Sequence, residues 1–397
     1  MKVGGFYEHQ IPRPWDRESE HRLFKDALDQ IELIDKLGFG YVWATEHHFL
    51  EEYAHSSAPE VFLAAVSQRT KNIRLGHGIV QMPPLINHPA RIAERIATLD
   101  LVSDGRVEFG TGEGATNCEL NGFQLTQEDK REAWREGLEV VTRMMVEEPF
   151  LGYEGKWVNA PVRNIVPKPY QRPHPPLWLA CSRRETILLA AKLGLGALTF
   201  AFVSPEEAGQ WVRDYYSTLE RECAPAGYAI NPQIAVMCPM LCDNDGDRAR
   251  EIASYHHGFF MYGLGWYAFF AEHEPGKSRL WDSYEKNPHG FVMPEGKIPD
   301  CIGTPEQIRS RLREFEAQGV DQVVFLSQAG KIKHETLMSS FDLFGREVLP
   351  EFIERDHKRE AEKKALVAQI AERAMARKPA SKIPDWGDTI IRPAGHH

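Results

Sequence analysis

The chain has 397 residues, of which 42% are hydrophobic and 26% are charged, and this composition excludes collagen-like, mostly disordered and disulfide-scaffold proteins. Its 57 acidic residues outnumber the 47 lysines and arginines, for a formal net charge of −10, and no basic stripe of the kind that binds nucleic acid is visible. The sequence has neither an apolar run of about 18 residues for a membrane span nor a signal-peptide core. We therefore expect a cytoplasmic protein that binds neither nucleic acid nor membrane.

The apolar residues alternate between the period of a strand and the period of a helix, which is typical of repeated βα units. We predict eight strands, at residues 3–7, 41–45, 73–80, 106–110, 177–181, 196–202, 233–241 and 320–326. Eight such units favour an α/β fold of the closed (β/α)8 TIM-barrel type over an open doubly wound sheet. No GxGxxG follows the first strand, which also weakens a dinucleotide-binding sheet.

Helix boundaries are marked most clearly in the last unit. Thr304 is a natural N-cap, Pro305 suits the first helical position, and Gln307 completes a capping box. Gly319 then ends the predicted helix. A similar pair, Thr126 and Asp129, predicts the start of an earlier helix.

Two segments exceed a minimal barrel. Residues 151–176 are rich in proline and glycine, and residues 243–300 contain a cluster of aromatic side chains between 255 and 270. These aromatic residues are either packing or an apolar wall that excludes water from the site. We predict a single barrel domain over residues 1–350 with these two insertions, followed by a charged C-terminal helix and tail over residues 351–397.

Residues just past the carboxyl ends of barrel strands face the active site. This rule selects Glu46, His47 and His48, and also the segments 77–82, 111–117 and 182–184.

The adjacent histidines allow three interpretations. Because neighbouring residues of an extended segment point to opposite sides, His47 and His48 are poor joint ligands for one metal ion. A metal-dependent barrel hydrolase would instead combine His47 with His9 and His77. We favour one catalytic histidine without a metal; two structural histidines are the third possibility. The six cysteines are scattered without a CxxC pair and predict reduced thiols, not a zinc site.

Two further segments could contact a cofactor. Residues 110–117 carry three glycines, which either form turns or let backbone amides approach an anion or a ring. Ser182, Arg183 and Arg184 lie between a strand and a helix, where a hydroxyl, guanidinium groups and a helix N-terminus together form a phosphate site. The alternative is a serine N-cap with two solvated arginines.

Four sequence segments resemble the bacterial-luciferase-like family of flavin-dependent monooxygenases. They are LGFGYVWATEHHF (37–49), IRLGHGIV followed by HPARIAERIATLDLVSDGRVEFGTGEG (73–114), LWLACSRRETILLAAKLGLG (177–196) and IGTPEQIRSRLREFEAQGVDQVVF (302–325). The resemblance covers roughly residues 1–350.

The resemblance implies a homodimeric (β/α)8 barrel that binds reduced FMN supplied by a separate reductase. It implies that O2 adds at the flavin C4a position and that the resulting peroxide or hydroperoxide oxidises a small organic substrate. In this reading His47 matches the family's catalytic histidine, and His48 matches its more structural neighbour.

The cofactor-binding residues also follow from the resemblance. Gly78 and Ile79 match a non-prolyl cis peptide beneath the flavin ring, and Asn117 falls where other members touch the flavin. Ser182 and Arg183 match phosphate-binding positions.

Glu113 departs from the family pattern, because luciferases carry there an arginine that helps hold the phosphate. A carboxylate would repel a phosphate dianion by several kcal/mol where solvation is poor. We therefore predict that Glu113 faces the ring or the ribityl hydroxyls, and that Arg183 or Arg184 takes over the phosphate.

The favoured function is a two-component monooxygenase acting on an apolar or aromatic compound. Within the same superfamily, the alternative is a hydride-transferring oxidoreductase that uses the deazaflavin F420. Alternatives of other classes are the metal-dependent hydrolase and a non-catalytic flavin-binding protein.

Overall fold

Among the residues that the computed structural model describes (1–288, 300–387 and 389–391), eight parallel strands close into a barrel. In spatial order they are β1 (Lys2–Tyr7), β2 (Tyr41–Ala44), β3 (Arg74–His77), β5 (Val107–Gly112), β8 (Leu177–Cys181), β9 (Gly196–Thr199), β10 (Ile234–Cys242) and β12 (Gln322–Leu326). β12 pairs with β1 and completes the ring. The predicted (β/α)8 fold is confirmed.

Short strands extend or flank the barrel. β4 (Val80–Gln81) pairs with β5, β11 (Cys301–Gly303) pairs with β10, and β6 (Tyr153–Glu154) forms an antiparallel hairpin with β7 (Asn159–Ala160). The predicted strand 73–80 is therefore two strands, interrupted at Gly78–Ile79.

Helices pack around the barrel and bury most of its outer apolar surface. They are α1 (Ser19–Leu37), α2 (Pro59–Arg69), α3 (Pro89–Val102), α4 (Asn117–Gly122), α5 (Lys130–Val146), α6 (Arg184–Lys192), α7 (Pro205–Glu222), α8 (Gly246–Gly265), α9 (Leu280–Lys286), α10 (Pro305–Ala317), α11 (His334–Glu347) and α12 (Leu349–Met375). A π-helical turn, Trp266–Phe270, continues α8. None of the helices in the described ranges is long and apolar enough to cross a lipid bilayer.

The capping signals show how local sequence sets helix ends. Thr304 and Gln307 form the predicted capping box at the start of α10, and Gly319 takes a positive φ of 86° just beyond its end. The helix start predicted at Thr126 lies about one turn before the observed start of α5. The Thr126 hydroxyl donates to the Asp129 carboxylate at 2.8 Å in a turn that precedes α5, and the helix itself begins at Lys130.

Tryptophans fill the barrel interior beneath the carboxyl end. Trp43 and Trp178 meet edge to face at 5.1 Å, and their indole N–H groups donate to Gln322 at 2.7 Å and Glu108 at 2.6 Å. A Cβ on Gly76 would come within 2.2 Å of the Trp43 ring, so glycine is required for this packing. The filled interior leaves the carboxyl end as the place for a site.

The predicted insertions are partly visible. The hairpin β6–β7 lies within 151–176, while residues 289–299 of the predicted insertion 243–300 lie outside the described residues, as do 388 and 392–397 of the predicted tail. The charged C-terminal helix is α12, whose Arg359 and Lys363 bind Asp321 at the start of β12 at 3.2 and 2.7 Å. The domain boundary at 350 stays a prediction.

Candidate active site

A cavity of about 840 Å³ opens at the carboxyl end of the barrel, where the active sites of such barrels lie. The loops after β2, β5 and β8 form its lower walls, and α8 with the π-helical turn forms the upper wall. It is lined by every residue predicted to be catalytic or cofactor-binding: His47, Gly78, Ile79, Glu113, Asn117, Ser182 and Arg183. The structure thus brings these residues together, and their individual roles stay predictions.

The His47 imidazole lies between two buried carboxylates. Its Nδ1 is 2.9 Å from Glu119 Oε1, and its Nε2 is 3.4 Å from Glu8 Oε2. Burial alone would lower the pKa of His47, but the two carboxylates outweigh it and raise the pKa to about 9. The ring is therefore an imidazolium at neutral pH.

Glu119 is held in its charged form. It is fully buried on α4 and accepts hydrogen bonds from Gln81 Nε2 at 2.8 Å, Thr116 Oγ1 at 2.9 Å and the His48 amide at 3.2 Å. Burial favours the neutral acid, yet the His47 cation and these donors lower the pKa of Glu119 to about 2. Sequence reasoning missed Glu119, although the spacing Thr116-x-x-Glu119 is itself a capping signal.

His48 points away from the cavity. Its Nε2 is 3.1 Å from Glu46 Oε1, and its ring packs edge-on against Phe123 at 5.0 Å. The two histidine rings therefore lie on opposite sides of the segment, as predicted.

The floor of the cavity contains the Gly78–Ile79 peptide bond, which is cis. Neighbouring strands approach it closely: a Cβ on Gly110 would lie 1.9 Å from the His77 carbonyl oxygen, and one on Gly112 would lie 2.6 Å from Ile79. Two glycines of the segment 110–117, Gly110 and Gly112, are thus required because no Cβ fits beside His77 and Ile79 beneath the cavity.

One end of the cavity is cationic. Arg183 comes from the β8–α6 connection, and Lys130 and Arg131 come from the start of α5. Arg184 turns away and binds Asp214 on α7 at 2.6 Å, so of the two arginines proposed for the phosphate only Arg183 lines the cavity. Sequence reasoning missed Lys130 and Arg131, because nothing local distinguishes them from solvated residues at a helix start.

Glu113 lies at this cationic end and forms a two-point ion pair with Arg131. Both N–O distances are 2.8 Å. An arginine is therefore present at this end of the cavity, but it comes from α5 and is paired with Glu113. The carboxylate of Glu113 binds Arg131, and its position against a flavin ring or ribityl chain stays a prediction.

Another wall of the cavity is apolar. It is formed by Leu50, Tyr53, Phe200, Phe202, Met237, Phe260, Leu264, Tyr267 and Phe269. Other aromatic residues of segment 255–270, such as Phe259 and Tyr262, pack against Trp281 and Tyr284 of α9 instead. Some residues of the aromatic cluster therefore form part of the cavity wall, and others pack against α9.

The three histidines of the hydrolase alternative are not assembled. His9 is stacked on Phe24 at 4.5 Å and packed edge-on against Phe62 at 4.5 Å, and His77 lines a separate small cavity beside Glu60 and Arg95. In the part of the chain that the structure describes, no group of three or more His, Cys, Asp or Glu residues could hold a metal ion.

Comparison with known proteins adds to this geometry. The family model described as luciferase-like monooxygenase matches residues 1–322. The chain belongs to the luciferase-like monooxygenase family.

Other family members and structural neighbours differ in their named cofactors. The oxygenase component of the flavin-dependent trigonelline monooxygenase of Acinetobacter baylyi is 24% identical over 87% of this chain and 94% of its own. Two solved structures share the luciferase-like fold. The oxygenating constituent of 3,6-diketocamphane monooxygenase from Pseudomonas putida, in complex with FMN, has a TM-score of 0.69 at 19% identity, over 88% and 98% of the two chains. The F420-dependent tetrahydromethanopterin reductase from Methanopyrus kandleri has a TM-score of 0.64 at 21% identity, over 88% and 99%.

Proposed function

We propose that this luciferase-like protein is the oxygenase component of a two-component monooxygenase, which uses reduced FMN and O2 to oxidise a small apolar or aromatic substrate. The observation that carries the proposal is the cavity itself. Its lining includes a cationic end, an imidazolium that lies between two carboxylates, and an apolar aromatic wall. Its volume of about 840 Å³ lies high in the usual range of ligand pockets, about 300–1,000 Å³, and suits a cofactor together with a small substrate.

The residues present fit FMN. Arg183, Arg131 and Lys130 would neutralise its phosphate, and the Ser182 hydroxyl would add a hydrogen bond. Gly78 and Ile79 would lie against the ring, with Asn117 beside it. When bound, reduced FMN supplies the electrons that activate O2.

His47 would hold the proton that this chemistry needs. Its imidazolium faces the cavity at neutral pH, where it can stabilise a developing negative charge or donate a proton. Glu119 holds the ring through Nδ1, and Nε2 lies 3.4 Å from Glu8 Oε2, with both His47 and Glu8 lining the cavity.

The aromatic wall would exclude water and select the substrate. Phe260 and Tyr267 cover the cavity from the α8 side, and an enclosed apolar space protects a reactive oxygen species from wasteful decay. Polar groups on this wall are few, which favours an apolar or aromatic compound.

The proposed partners are a separate flavin reductase and a second copy of the chain. The trigonelline relative is named as an oxygenase component, which implies that its reductase is a different protein. We extend that arrangement to this chain, and the homodimer rests on family resemblance.

An anaerobic titration tests the proposal. Reduced FMN is added to the protein, and the complex is then mixed rapidly with oxygenated buffer while absorbance is recorded. We expect saturable binding and then a transient absorbance that matches neither reduced nor oxidised FMN. Absence of binding, or oxidation as fast as that of free reduced FMN, would contradict the proposal. The same titration with reduced F420 would then test the hydride-transfer alternative.

A further inference from the structure

Glu8 is a buried carboxylate in the cavity wall that none of the predicted roles uses. β1 ends at Tyr7, and Glu8, the next residue, lines the cavity with 3% of its surface exposed. His9 then adopts a positive φ of 53° and packs its ring against Phe24, away from the cavity. The chain thus places a single carboxylate of this strand end in the site.

The contacts of Glu8 come from the end of β2 and the loop that follows. Oε2 accepts a hydrogen bond from Thr45 Oγ1 at 2.8 Å and lies 3.4 Å from His47 Nε2, and Oε1 accepts one from the Tyr53 hydroxyl at 3.3 Å. Because both oxygens of this buried carboxylate accept hydrogen bonds, its position in the cavity wall is fixed.

The two carboxylates that flank His47 differ in how strongly they interact with its imidazolium. Glu119 is closer, at 2.9 Å, and is stabilised by several other donors. Glu8 is farther, at 3.4 Å, and burial raises the pKa of its carboxyl. The proton on Nδ1 is therefore held tightly, and the proton on Nε2 is the one that can leave.

We propose that Glu8 is a positioning residue that keeps a proton on Nε2 of His47 at the cavity wall, so that the Glu8–His47 pair is the proton donor of the site. This inference rests on the proposed function for its catalytic meaning. On donation, the N–H bond at Nε2 breaks and its proton passes to the bound ligand. The imidazole is left neutral, with its remaining proton on Nδ1 facing Glu119, while the Glu8 carboxylate is unchanged.

Within the described ranges, four titratable groups face His47 from the elements packed around it. They are Glu8 after β1, Glu46 and Tyr53 from the loop after β2, and Glu119 from α4. Glu46 directs its oxygens to His48, Gln81 and Asn87, and Tyr53 meets the ring edge-on at 5.9 Å. Glu8 and Glu119 are thus the groups whose oxygens reach the ring nitrogens.

The test measures the pKa of His47 directly, without any cofactor. Protein labelled with 13Cε1-histidine is titrated by NMR, and the resonance that disappears in His47→Asn is assigned to His47. In Glu8→Gln we expect the pKa of His47 to fall by about one to three pH units, the usual effect of losing an opposite charge within about 4–6 Å. Glu8→Asp should restore part of the fall. Glu51→Gln removes a carboxylate from the same loop without touching His47 and should leave the pKa unchanged.

An unchanged His47 pKa in folded Glu8→Gln would overturn the proposal, as would an equal fall in Glu51→Gln. If thermal melting shows that Glu8→Gln does not fold, Thr45→Val decides instead. It removes the hydroxyl that donates to Glu8 Oε2 and should lower the His47 pKa, and no change there would equally overturn the proposal.

A functional readout completes the test. The pH above which the bound reduced FMN loses its transient absorbance should move down with the His47 pKa in Glu8→Gln. Failure of the proposed function shows as absence of FMN binding in the unaltered protein, whereas failure of this inference shows as an unmoved His47 pKa.

Discussion

Glu113 and Arg131 are 18 residues apart in the chain and form a two-point ion pair at the cationic end of the cavity. The pair places a guanidinium beside Lys130 and Arg183, while the carboxylate that the sequence offers at that place is neutralised by the same contact. The electrostatic conflict expected between Glu113 and a phosphate is therefore resolved within the protein. Arg131 is the partner of Glu113, and in the proposed FMN complex the phosphate would depend on it as well.

Replacing Arg131 should weaken cofactor binding. In Arg131→Ala, the proposed charge-assisted contact to the phosphate would be lost, and Glu113 would be left without its partner. Hydrogen bonds to charged groups contribute about 1.5–3 kcal/mol, so we expect the dissociation constant of reduced FMN to rise about 10- to 100-fold. The anaerobic titration measures it.

Two variants serve as controls for Arg131. Arg184→Ala removes an arginine that binds Asp214 outside the cavity and should leave the affinity within about twofold. Glu113→Gln, added to Arg131→Ala, should recover part of the loss because it removes the unpaired carboxylate. Equal losses in Arg131→Ala and Arg184→Ala would place the phosphate elsewhere.

The barrel and much of the site could be predicted from sequence because their signals are local. Strand periodicity, the Thr304 cap and the rule that sites follow strand ends each depend on a few neighbouring residues. These signals were sufficient to predict that His47, Ser182 and Arg183 face the same end of the barrel, and the structure places all three in one cavity.

The partners of these residues could not be predicted, because they come from distant parts of the chain. Glu8 is 39 positions and Glu119 is 72 positions from His47, and the local sequence marks neither as a partner of a histidine, since Thr116-x-x-Glu119 indicates only a helix start. What makes them part of the site is the closure of the barrel, which brings the end of β1 and the start of α4 to the same histidine.

His47 should be needed for the oxygen reaction more than for binding. Since it lies apart from the cationic end, His47→Ala should leave the dissociation constant of reduced FMN within about threefold. Loss of a positioned proton donor costs about 10²- to 10⁴-fold in rate, and we expect a fall of that size in the oxygen reaction of the bound cofactor. Rapid mixing measures the rate. A comparable loss of affinity would indicate a structural histidine instead.

The charge on His47 should also contribute to the free energy of unfolding. Its folded pKa of about 9 lies above the ordinary value of 6.5, so the imidazolium favours the folded state. This contribution is fully present below about pH 6.5 and is lost as the pH rises through 9. The difference in unfolding free energy between the unaltered protein and His47→Gln should therefore shrink between pH 7 and pH 10. Exposed His21, replaced by glutamine, is the control, and a pH-independent difference for His47→Gln would contradict the prediction.

The segment that covers the aromatic wall is tied to the barrel by a buried carboxylate. Glu52, which is fully buried in the loop after β2, accepts hydrogen bonds from the amides of Leu280 and Trp281 at the start of α9, at 2.8 and 3.2 Å, and from the Arg13 amide at 2.8 Å. The loop that carries His47 thus also holds α9 in place against the aromatic residues of α8.

Removal of this carboxylate should loosen the cover and uncouple the reaction. Glu52→Ala leaves buried amides without an acceptor, at about 1–3 kcal/mol for each. We expect faster hydrogen exchange in the peptide spanning residues 271–287 and more hydrogen peroxide released per O2 consumed, because water reaches the cavity. Glu274→Ala is the matched control: it removes an exposed carboxylate of the same segment that binds Lys277, and it should leave both quantities unchanged. Faster exchange without extra peroxide would show that α9 packs against the wall but does not protect the chemistry.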